Sequence, residues 1–300
     1  MPSLLDMTDV PMINILEKCD YKSVLTLRKV CHSLRNFIDD ACFKTDLAKI
    51  RIAIGPTGFS VTCHSNAYWT NEIGIARNWT SDDLKIFLKM AQNSKLFDLY
   101  VKTHPDSSGG FDDLEEILKN QTRPLKTERF TMEGAEILKV LPHLDSETLK
   151  EIIIKPANYK FDYQNLDGIE QFLELQQFKN AVSLIIDNCF LVRADLRKFF
   201  HFQGVSVKIH EPSLEELAAL KEAFVSSTHM EFFNLNVRGL DENQLEQVFG
   251  TPFHDPRGWQ WFFEIQNYKE HVLRIEWTLR GLIFWKMEAK EVPQDAVVQH

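Results

Sequence analysis

The sequence has no long apolar run. No stretch approaches the roughly 20 consecutive apolar residues that a membrane-spanning helix needs. The first residues include Asp6 and Asp9 and lack the positively charged start of a secretory signal. We therefore expect the protein to remain in the cytoplasm, the nucleus or both, without a membrane partner.

Cysteine is scarce and scattered. The chain has 5 cysteines, an odd number, and no two of them have Cys-x-x-Cys spacing. This pattern argues against a disulfide framework and against a zinc ribbon. We expect reduced and mostly buried side chains at the following positions: Cys19, Cys31, Cys42, Cys63 and Cys189.

The chain also lacks an excess of positive charge. It has 34 Lys and Arg against 43 Asp and Glu, a formal charge of −9. Such a balance argues against the broad basic surface that sequence-independent binding of nucleic acid or anionic membranes requires. We expect no nucleic-acid partner, although a local basic patch remains compatible with the composition.

Motifs of catalysis are absent from the sequence. It contains no dinucleotide-binding Gly-x-Gly-x-x-Gly, no Walker loop, no His-Glu-x-x-His and no Gly-x-Ser-x-Gly. The 10 histidines are dispersed. We expect no catalytic residue, no metal site, no cofactor and no enzymatic activity; an unrecognised hydrolase or transferase is the less favoured alternative.

The N-terminal segment has helical periodicity in short pieces. Asp9 and Asp20 are predicted to cap two successive helices, and Pro11 suits the first turn of the earlier one. An i, i+3, i+4, i+7 pattern then runs through these apolar positions: Leu27, Val30, Cys31, Leu34, Phe37 and Ile38. Three short helices within about 35 residues bury too little to be stable alone, so a partner or the rest of the chain must cover them.

Beyond Ala48, short β-rich runs alternate with amphipathic helical runs. Strands are predicted at these ranges: Lys49 to Ile54, Phe97 to Lys102, Phe130 to Met132, Leu149 to Ile154, Val182 to Ile186, Val205 to Ile209 and Phe232 to Val237. Helices are predicted between them, one capped by Ser81 and another containing Leu196, Phe199 and Phe200. Repeated strand–helix units predict a parallel sheet, with spacing that resembles a degenerate leucine-rich-repeat horseshoe or open βα solenoid.

Three aromatic segments near the C-terminus alternate like antiparallel strands: Trp259 to Ile265, His271 to Thr278 and Gly281 to Met287. We expect them to close the end of the repeats. Their aromatic side chains are interpreted as core, with a substrate-binding patch as the alternative.

Two runs of the N-terminal segment resemble an F-box, especially the nematode type: Leu4 to Leu16 and Leu25 to Arg35. Thr8 stands where the usual proline would be, and Leu34 replaces the common Trp. The resemblance implies docking to a Skp-type adaptor that links the chain to a cullin. The implied adaptor-binding residues are Met7, Pro11, Ile13, Ile15, Leu16, Leu25, Leu27, Val30, Cys31 and Leu34. We expect Met7, Leu16 and Val30 in particular to be left uncovered by the chain's own fold.

Residues 120–250 resemble the FTH domain, which follows the F-box in nematode proteins. The matching landmarks are Ile137 to Pro142, Leu149 to Ile154, Gln176 to Ala181 and Leu217 to Lys221. Phe178 takes a place where that family often has Trp. These framework positions imply a fold and no reaction.

The predicted fold class is α/β, with a three-helix F-box, a leucine-rich-repeat-like βα solenoid with an open curved sheet, and a β cap. The predicted parts are the F-box at 1–48, a linking α/β segment that could hold the first repeats at 49–119, FTH-like repeats at 120–250, an aromatic cap at 251–288 and a polar tail at 289–300. The predicted function is substrate recognition in an SCF-type (Skp-cullin-F-box) ubiquitin ligase. The target protein and its contact residues are unknown, with the concave strand face and the loops at the strands' ends as the expected surface. The alternative is an interaction scaffold that recruits no ligase.

Overall fold

The computed structural model of the chain contains two compact units, residues 1–150 and 151–300. The structure describes these residues: 7–41, 43–65, 78–103, 110–157, 164–166, 168–237, 239–256, 258–266 and 268–299. Residues 1–6, which include the first three positions of the F-box-like run, and Cys42 lie outside this described part.

Three short helices open the first unit: α1 (Asp9–Leu16), α2 (Tyr21–Leu27) and α3 (His32–Asp40). Asp20 caps α2 as predicted, because its carboxylate accepts the Ser23 amide at 2.6 Å. The predicted cap of α1 is wrong, since Asp9 is the first helical residue and Thr8 holds the capping position without a side-chain bond. The apolar pattern from Leu27 onward is interrupted by a turn, so it belongs to two helices and not to one.

A small core holds these helices together. Its buried members are Leu16, Val24, Ile38, Phe43 and Met90, and Met90 comes from a later helix of the same unit. The rest of the chain therefore supplies part of the cover that three helices of this length lack.

The remaining elements of the first unit alternate between strands and helices. They are β1 (Lys49–Gly55), β2 (Gly58–His64), α4 (Ser81–Ala91), β3 (Lys95–Thr103), α5 (Gly110–Lys119) and β4 (Lys126–Glu133). Their strand order is β2-β1-β3-β4, with β2 antiparallel to β1 and the others parallel. Thr80, and not the predicted Ser81, caps α4 through a reciprocal pair with Asp83.

The two faces of this sheet differ sharply. Side chains that alternate along a strand point to opposite faces. One face carries buried apolar rows, as in Cys63–Ile50–Leu99–Phe130 and Val61–Ile52–Val101–Met132. The other carries polar rows, which run His64–Lys49–Asp98–Arg129, Thr62–Arg51–Tyr100–Thr131 and Ser60–Ala53–Lys102–Glu133. The apolar core of the sheet therefore lies on one face only.

The second unit continues the alternation. Its elements are β5 (Glu151–Lys155), β6 (Gln164–Asn165), α6 (Ile169–Glu174), α7 (Gln176–Asn180), β7 (Ser183–Ile186), β8 (Phe190–Leu191), β9 (Gly204–Lys208), α8 (Leu214–Ser226), β10 (Phe232–Asn236), α9 (Glu242–Phe249), β11 (Phe253–Asp255), β12 (Gly258–Glu264), β13 (His271–Thr278), β14 (Gly281–Glu288) and β15 (Val298–Gln299). Strands β5, β7, β9 and β10 are parallel neighbours in that order. The predicted parallel pairing of repeated strands is confirmed.

An antiparallel meander follows on β10. Strand β14 pairs with β10, and β13, β12 and β11 follow in turn, all antiparallel. Gly281 begins β14 opposite Asn236 of β10. A glycine is needed there, because its φ is +142° and an added Cβ would lie 2.2 Å from the Leu235 carbonyl oxygen. The predicted antiparallel strands are therefore confirmed, and they extend the row of parallel strands of this unit.

Three predictions of local structure are corrected. The expected helix at Leu196 is a short 3-10 turn (Leu196–Phe199) that Asp195 caps. The predicted polar tail contains β15, which pairs with β12 and gains backbone hydrogen bonds. Only Cys63 is buried among the cysteines described, whereas Cys19, Cys31 and Cys189 are half-buried. These three half-buried cysteines correct the expectation of mostly buried thiols.

The fold class is mixed α/β, with N-terminal helices followed by parallel and antiparallel strands. Phe178 illustrates how the landmarks serve this fold. Its ring is 2% exposed and lies 5.0 Å from each of the Phe172 and Phe202 rings, centroid to centroid. It is a framework residue, and the division of the chain into five parts stays a prediction.

Candidate partner-binding surfaces

The N-terminal helices leave large apolar side chains exposed to solvent. Met7, Val10 and Val30 are 47%, 69% and 66% exposed, and Pro11 is exposed as well. Soluble proteins expose single apolar side chains routinely, but three large ones within one short segment are a candidate contact for another protein. We call Met7, Val10, Pro11 and Val30 the exposed N-terminal set.

The remaining predicted adaptor residues are covered to different degrees. Ile13, Leu25 and Leu27 are half-buried and pack against the small helical core, while Ile15 and Cys31 are half-buried elsewhere on the helices. The Cys31 sulfur accepts the Leu34 amide at 3.5 Å and so begins α3. These five side chains present only part of their surface to a partner.

Two predicted residues are buried outright. Leu16 is 1% and Leu34 is 4% exposed. The expectation that Leu16 stays uncovered is therefore wrong, because Met90 and Phe43 complete a core around it. The contact of the ten predicted residues with an adaptor stays a prediction. Leu16 and Leu34, being buried, stabilise the packing of the helices.

Val10 is exposed but does not belong to the predicted adaptor-binding residues. Its signal was available: Val10 lies two residues before Met12, off the face on which Met12 and Leu16 are buried. An apolar residue that faces away from a short helix's own core is a candidate for contact with a partner.

An ion pair fixes the angle between α2 and α3. The Arg28 guanidinium donates to both carboxylate oxygens of Asp39, at 2.6 and 2.9 Å. This bidentate bond raises the pKa of Arg28 above its usual value, and the Ser23 amide lowers the pKa of Asp20.

Thr8 has φ −70° and ψ 164°. This φ is close to the one that a proline ring imposes, so the backbone at Thr8 has the conformation that the usual proline would have.

A second surface lies on the sheet of the second unit. Its open face carries the row Ile153–Ile185–Ser206–Asn234–Ile283–Glu276 and the row Glu151–Ser183–Gly204–Phe232–Trp285–Arg274. Ile185 and Phe232 are each 38% exposed, and their apolar neighbours in these rows are half-buried. We call Ile153, Ile185, Phe232, Ile283 and Trp285 the apolar face.

The C-terminal aromatic residues are mainly core. Trp261, Phe262, Phe263 and Phe284 are buried, and the Trp261 indole donates to the Gly250 carbonyl at 2.8 Å. At one end, Trp259, Trp277 and the fully exposed Leu279 line an open pocket of about 500 Å³. The interpretation as core therefore holds for the centre of the meander.

If the chain were an enzyme, an open pocket would be expected to hold the substrate. Four such pockets lie among the described residues. Two lie in the first unit and are lined by one carboxylate each, Asp39 or Asp83. Two lie in the second unit; one has Asp295 as its carboxylate and the other has no titratable group. Within the described ranges, no three His, Cys, Asp or Glu side chains are placed to hold a metal ion. No helix in that part of the chain is long and apolar enough to span a bilayer.

Comparison with known families finds two domains in the chain. The F-box domain model matches residues 4–46, which contain the three helices and the exposed N-terminal set, so the class is that of F-box proteins. The FTH domain model matches residues 110–253, from α5 to β11. The chain is an F-box protein with a C-terminal FTH domain. No curated protein and no solved structure matches it at a significant level. F-box domains are typical of non-catalytic adaptors of ubiquitin ligases.

Proposed function

We propose that this protein is the substrate-recognition subunit of an SCF-type ubiquitin ligase. The observation that carries the proposal is the exposed N-terminal set, which lies within the F-box match. Apolar side chains that the chain's own fold leaves in water are stabilised when another subunit covers them. A Skp-type adaptor is the partner that an F-box implies, and it would link the chain to a cullin.

The second half of the proposal concerns the target. We assign target binding to the apolar face, because Ile185 and Phe232 lie exposed on an otherwise half-buried sheet surface. The parallel order β5-β7-β9-β10 supports a leucine-rich-repeat-like array, in which strands present an extended binding surface. In this role the protein positions a target and performs no chemistry itself.

The cellular setting follows from the role. Adaptor-dependent ubiquitination takes place in the cytoplasm and the nucleus, and we propose both as locations. Nematode origin stays a prediction from the sequence resemblance.

A scaffold that recruits no ligase is the second candidate. Thr8 favours it, because the position lacks the usual proline and its side chain makes no capping bond. Binding to a purified Skp-type adaptor separates the two candidates directly.

We predict that Val30→Asp weakens adaptor binding by about 30-fold, the effect of losing an interface hot spot of roughly 2 kcal/mol. A carboxylate would have to be desolvated against the adaptor's apolar surface. Isothermal titration of purified full-length protein with a Skp-type adaptor measures the dissociation constant.

The chain offers a matched control, Val297→Asp. Val297 is 76% exposed, comparable to the 66% of Val30, and lies far along the chain from the F-box match. This variant and Phe232→Asp should keep wild-type adaptor affinity. Circular dichroism should show unchanged melting for Val30→Asp and Val297→Asp. Failure of the wild type to bind, when another F-box protein binds, would establish the scaffold instead.

A further inference from the structure

The polar face of the first unit's sheet concentrates positive charge. Lys49, Arg51, Lys102 and Arg129 lie on neighbouring positions of β1, β3 and β4, in the three polar rows described above. Arg51 is exposed, Lys102 and Arg129 are half-buried, and Lys49 is only 8% exposed, so Lys49 adds positive charge from beneath the surface. We call these four residues the basic face. In a chain of formal charge −9, four cations on one face of a small sheet are a local reversal of sign.

Aromatic rings lie among these cations. The Arg51 guanidinium lies 4.5 Å from the centroid of the Tyr100 ring. Lys49 Nζ and the Arg129 guanidinium each lie 5.4 Å from the centroid of the Phe97 ring. Cation–π contacts hold the positive groups in place over the sheet, and a held group loses less entropy when it binds a ligand.

Two carboxylates share the polar rows, Asp98 and Glu133. The Tyr100 hydroxyl donates to Glu133, and burial together with this bond raises the pKa of Tyr100 to about 12. Tyr100 therefore stays neutral at physiological pH and keeps Glu133 oriented. The rows hold four Lys and Arg side chains against the carboxylates of Asp98 and Glu133, so the face remains net positive.

The positive and negative side chains together determine which kind of anionic ligand fits this face. A nucleic-acid backbone carries a charge at every nucleotide, and Asp98 and Glu133 would repel phosphates that cross the rows. An acidic peptide carries discrete carboxylates that pair with Arg51 and Lys102 while its neutral backbone passes the two acids. Ala53, Ser60 and Thr62 are small and only half-buried, so they leave room for a main chain.

We propose that the basic face binds an acidic, extended peptide segment of a partner protein. Strands β1 to β3 fall between the F-box match, which ends at 46, and the FTH match, which begins at 110. Arg129, on β4, lies within the FTH match. The basic face shares no residue with the exposed N-terminal set or with the apolar face. Its peptide binding does not depend on adaptor capture.

The test uses a synthetic peptide and the full-length chain. Four strands about 4.8 Å apart span roughly 15 Å, so about eight extended residues suffice to cross the sheet. The probe is a fluorescein-labelled peptide of that length with alternating Glu and Ser, read by fluorescence anisotropy. The same peptide with Gln in place of Glu controls for charge.

The charge-reversed double variant Arg51→Glu with Lys102→Glu should bind the acidic peptide at least about tenfold more weakly than the wild type. The control Lys269→Glu with Arg280→Glu makes the same charge change at exposed sites of the second unit and should stay within about twofold. Wild-type affinity should fall as salt rises, and the Gln peptide should not bind. If melting shows the double Glu variant unfolded, Arg51→Gln with Lys102→Gln replaces it, and the same loss is expected.

Three results would overturn the proposal. The first is that the wild type fails to bind the acidic peptide at low salt. The second is that the two charge-reversed double variants lose affinity for the peptide equally. The third is that a labelled single-stranded oligonucleotide binds more tightly than the peptide. The last result would assign the face to nucleic acid. Adaptor binding measured on the same samples separates this proposal from the proposed function, because the basic-face variants should retain it.

Discussion

In each unit the strands bury one apolar face, and the two units differ in the chemistry of the opposite face. In the first unit the open face carries charged and aromatic side chains. In the second it carries the apolar face, with Ser206 and Asn234 between the apolar residues and charged residues only at the ends of the rows. The buried faces are alike, since both are rows of aliphatic and aromatic residues close to 0% exposed. The lesson is that the core rows specify the fold, while the alternate rows are free to specify a partner.

The sharpest test of this comparison uses two adjacent phenylalanines. Phe233 is buried in the core row and Phe232 is 38% exposed on the apolar face. Phe233→Ala should lower the free energy of unfolding by about 3–5 kcal/mol, because it leaves a cavity. Phe232→Ala should cost about 1–2 kcal/mol, because water reaches the site already. Urea denaturation measures both, and equal costs would mean that the two faces are not distinct in energy.

An ion pair from each unit provides the next test. Arg274 and Glu276 of the second unit meet at 2.8 Å with side chains only 12% and 14% exposed, and Arg274 Nε is buried without a partner among the described residues. Glu276→Gln should cost about 2 kcal/mol, because it weakens a charge-assisted bond to a largely buried guanidinium.

The matched change in the first unit is Glu128→Gln. Glu128 pairs with Lys95 at 2.6 Å, but the side chains are 40% and 60% exposed. This change should cost less than about 1 kcal/mol, because solvent screens the pair. A larger loss at Glu128 than at Glu276 in urea denaturation would contradict the expectation that the less exposed of the two ion pairs contributes more to stability.

The smallest predicted effect concerns pH at Tyr100. Its pKa in the folded chain is about 12, above the ordinary tyrosine value of 10.0, because burial and the bond to Glu133 favour the protonated hydroxyl. The stabilisation is complete below pH 10 and is lost as pH rises from 10 to 12, since the unfolded chain ionises first. Solvent access reduces the effect to about 1 kcal/mol or less.

Tyr100→Phe removes the titrating group and provides the control. The difference in unfolding free energy between wild type and variant should shrink across this alkaline range. A difference that is constant with pH would show that the hydroxyl of Tyr100 ionises as freely in the folded chain as in the unfolded one.

Much of the local structure was predictable from the sequence. Alternation of apolar residues predicted the strands at Lys49–Gly55 and Phe232–Asn236 to within a residue or two, and Asp20 was recognised as a cap. Errors occurred at boundaries, as when Thr80 and Ser81 could each begin the same helix. Neighbouring Ser, Thr and Asp residues compete for one capping position, and only the backbone geometry selects among them.

The candidate surfaces were less predictable. The expectation of exposure is confirmed for Val30 and is wrong for Leu16, although both belong to the F-box-like runs. The difference arises from Met90, which lies far along the chain and contributes to the core that buries Leu16. Local periodicity identifies an apolar face and carries no information about what covers it.

The basic face was invisible to composition, because the net charge averages over the whole chain. Its members lie at positions 49, 51, 102 and 129 and meet only through the parallel register of β1, β3 and β4. By itself, the sequence determined the F-box and FTH domains, the alternation of strands and helices, and the small cysteine content, since each depends on local patterns. The tertiary structure decided which apolar residues stay in water and which charges gather, because both depend on contacts between residues distant in the chain.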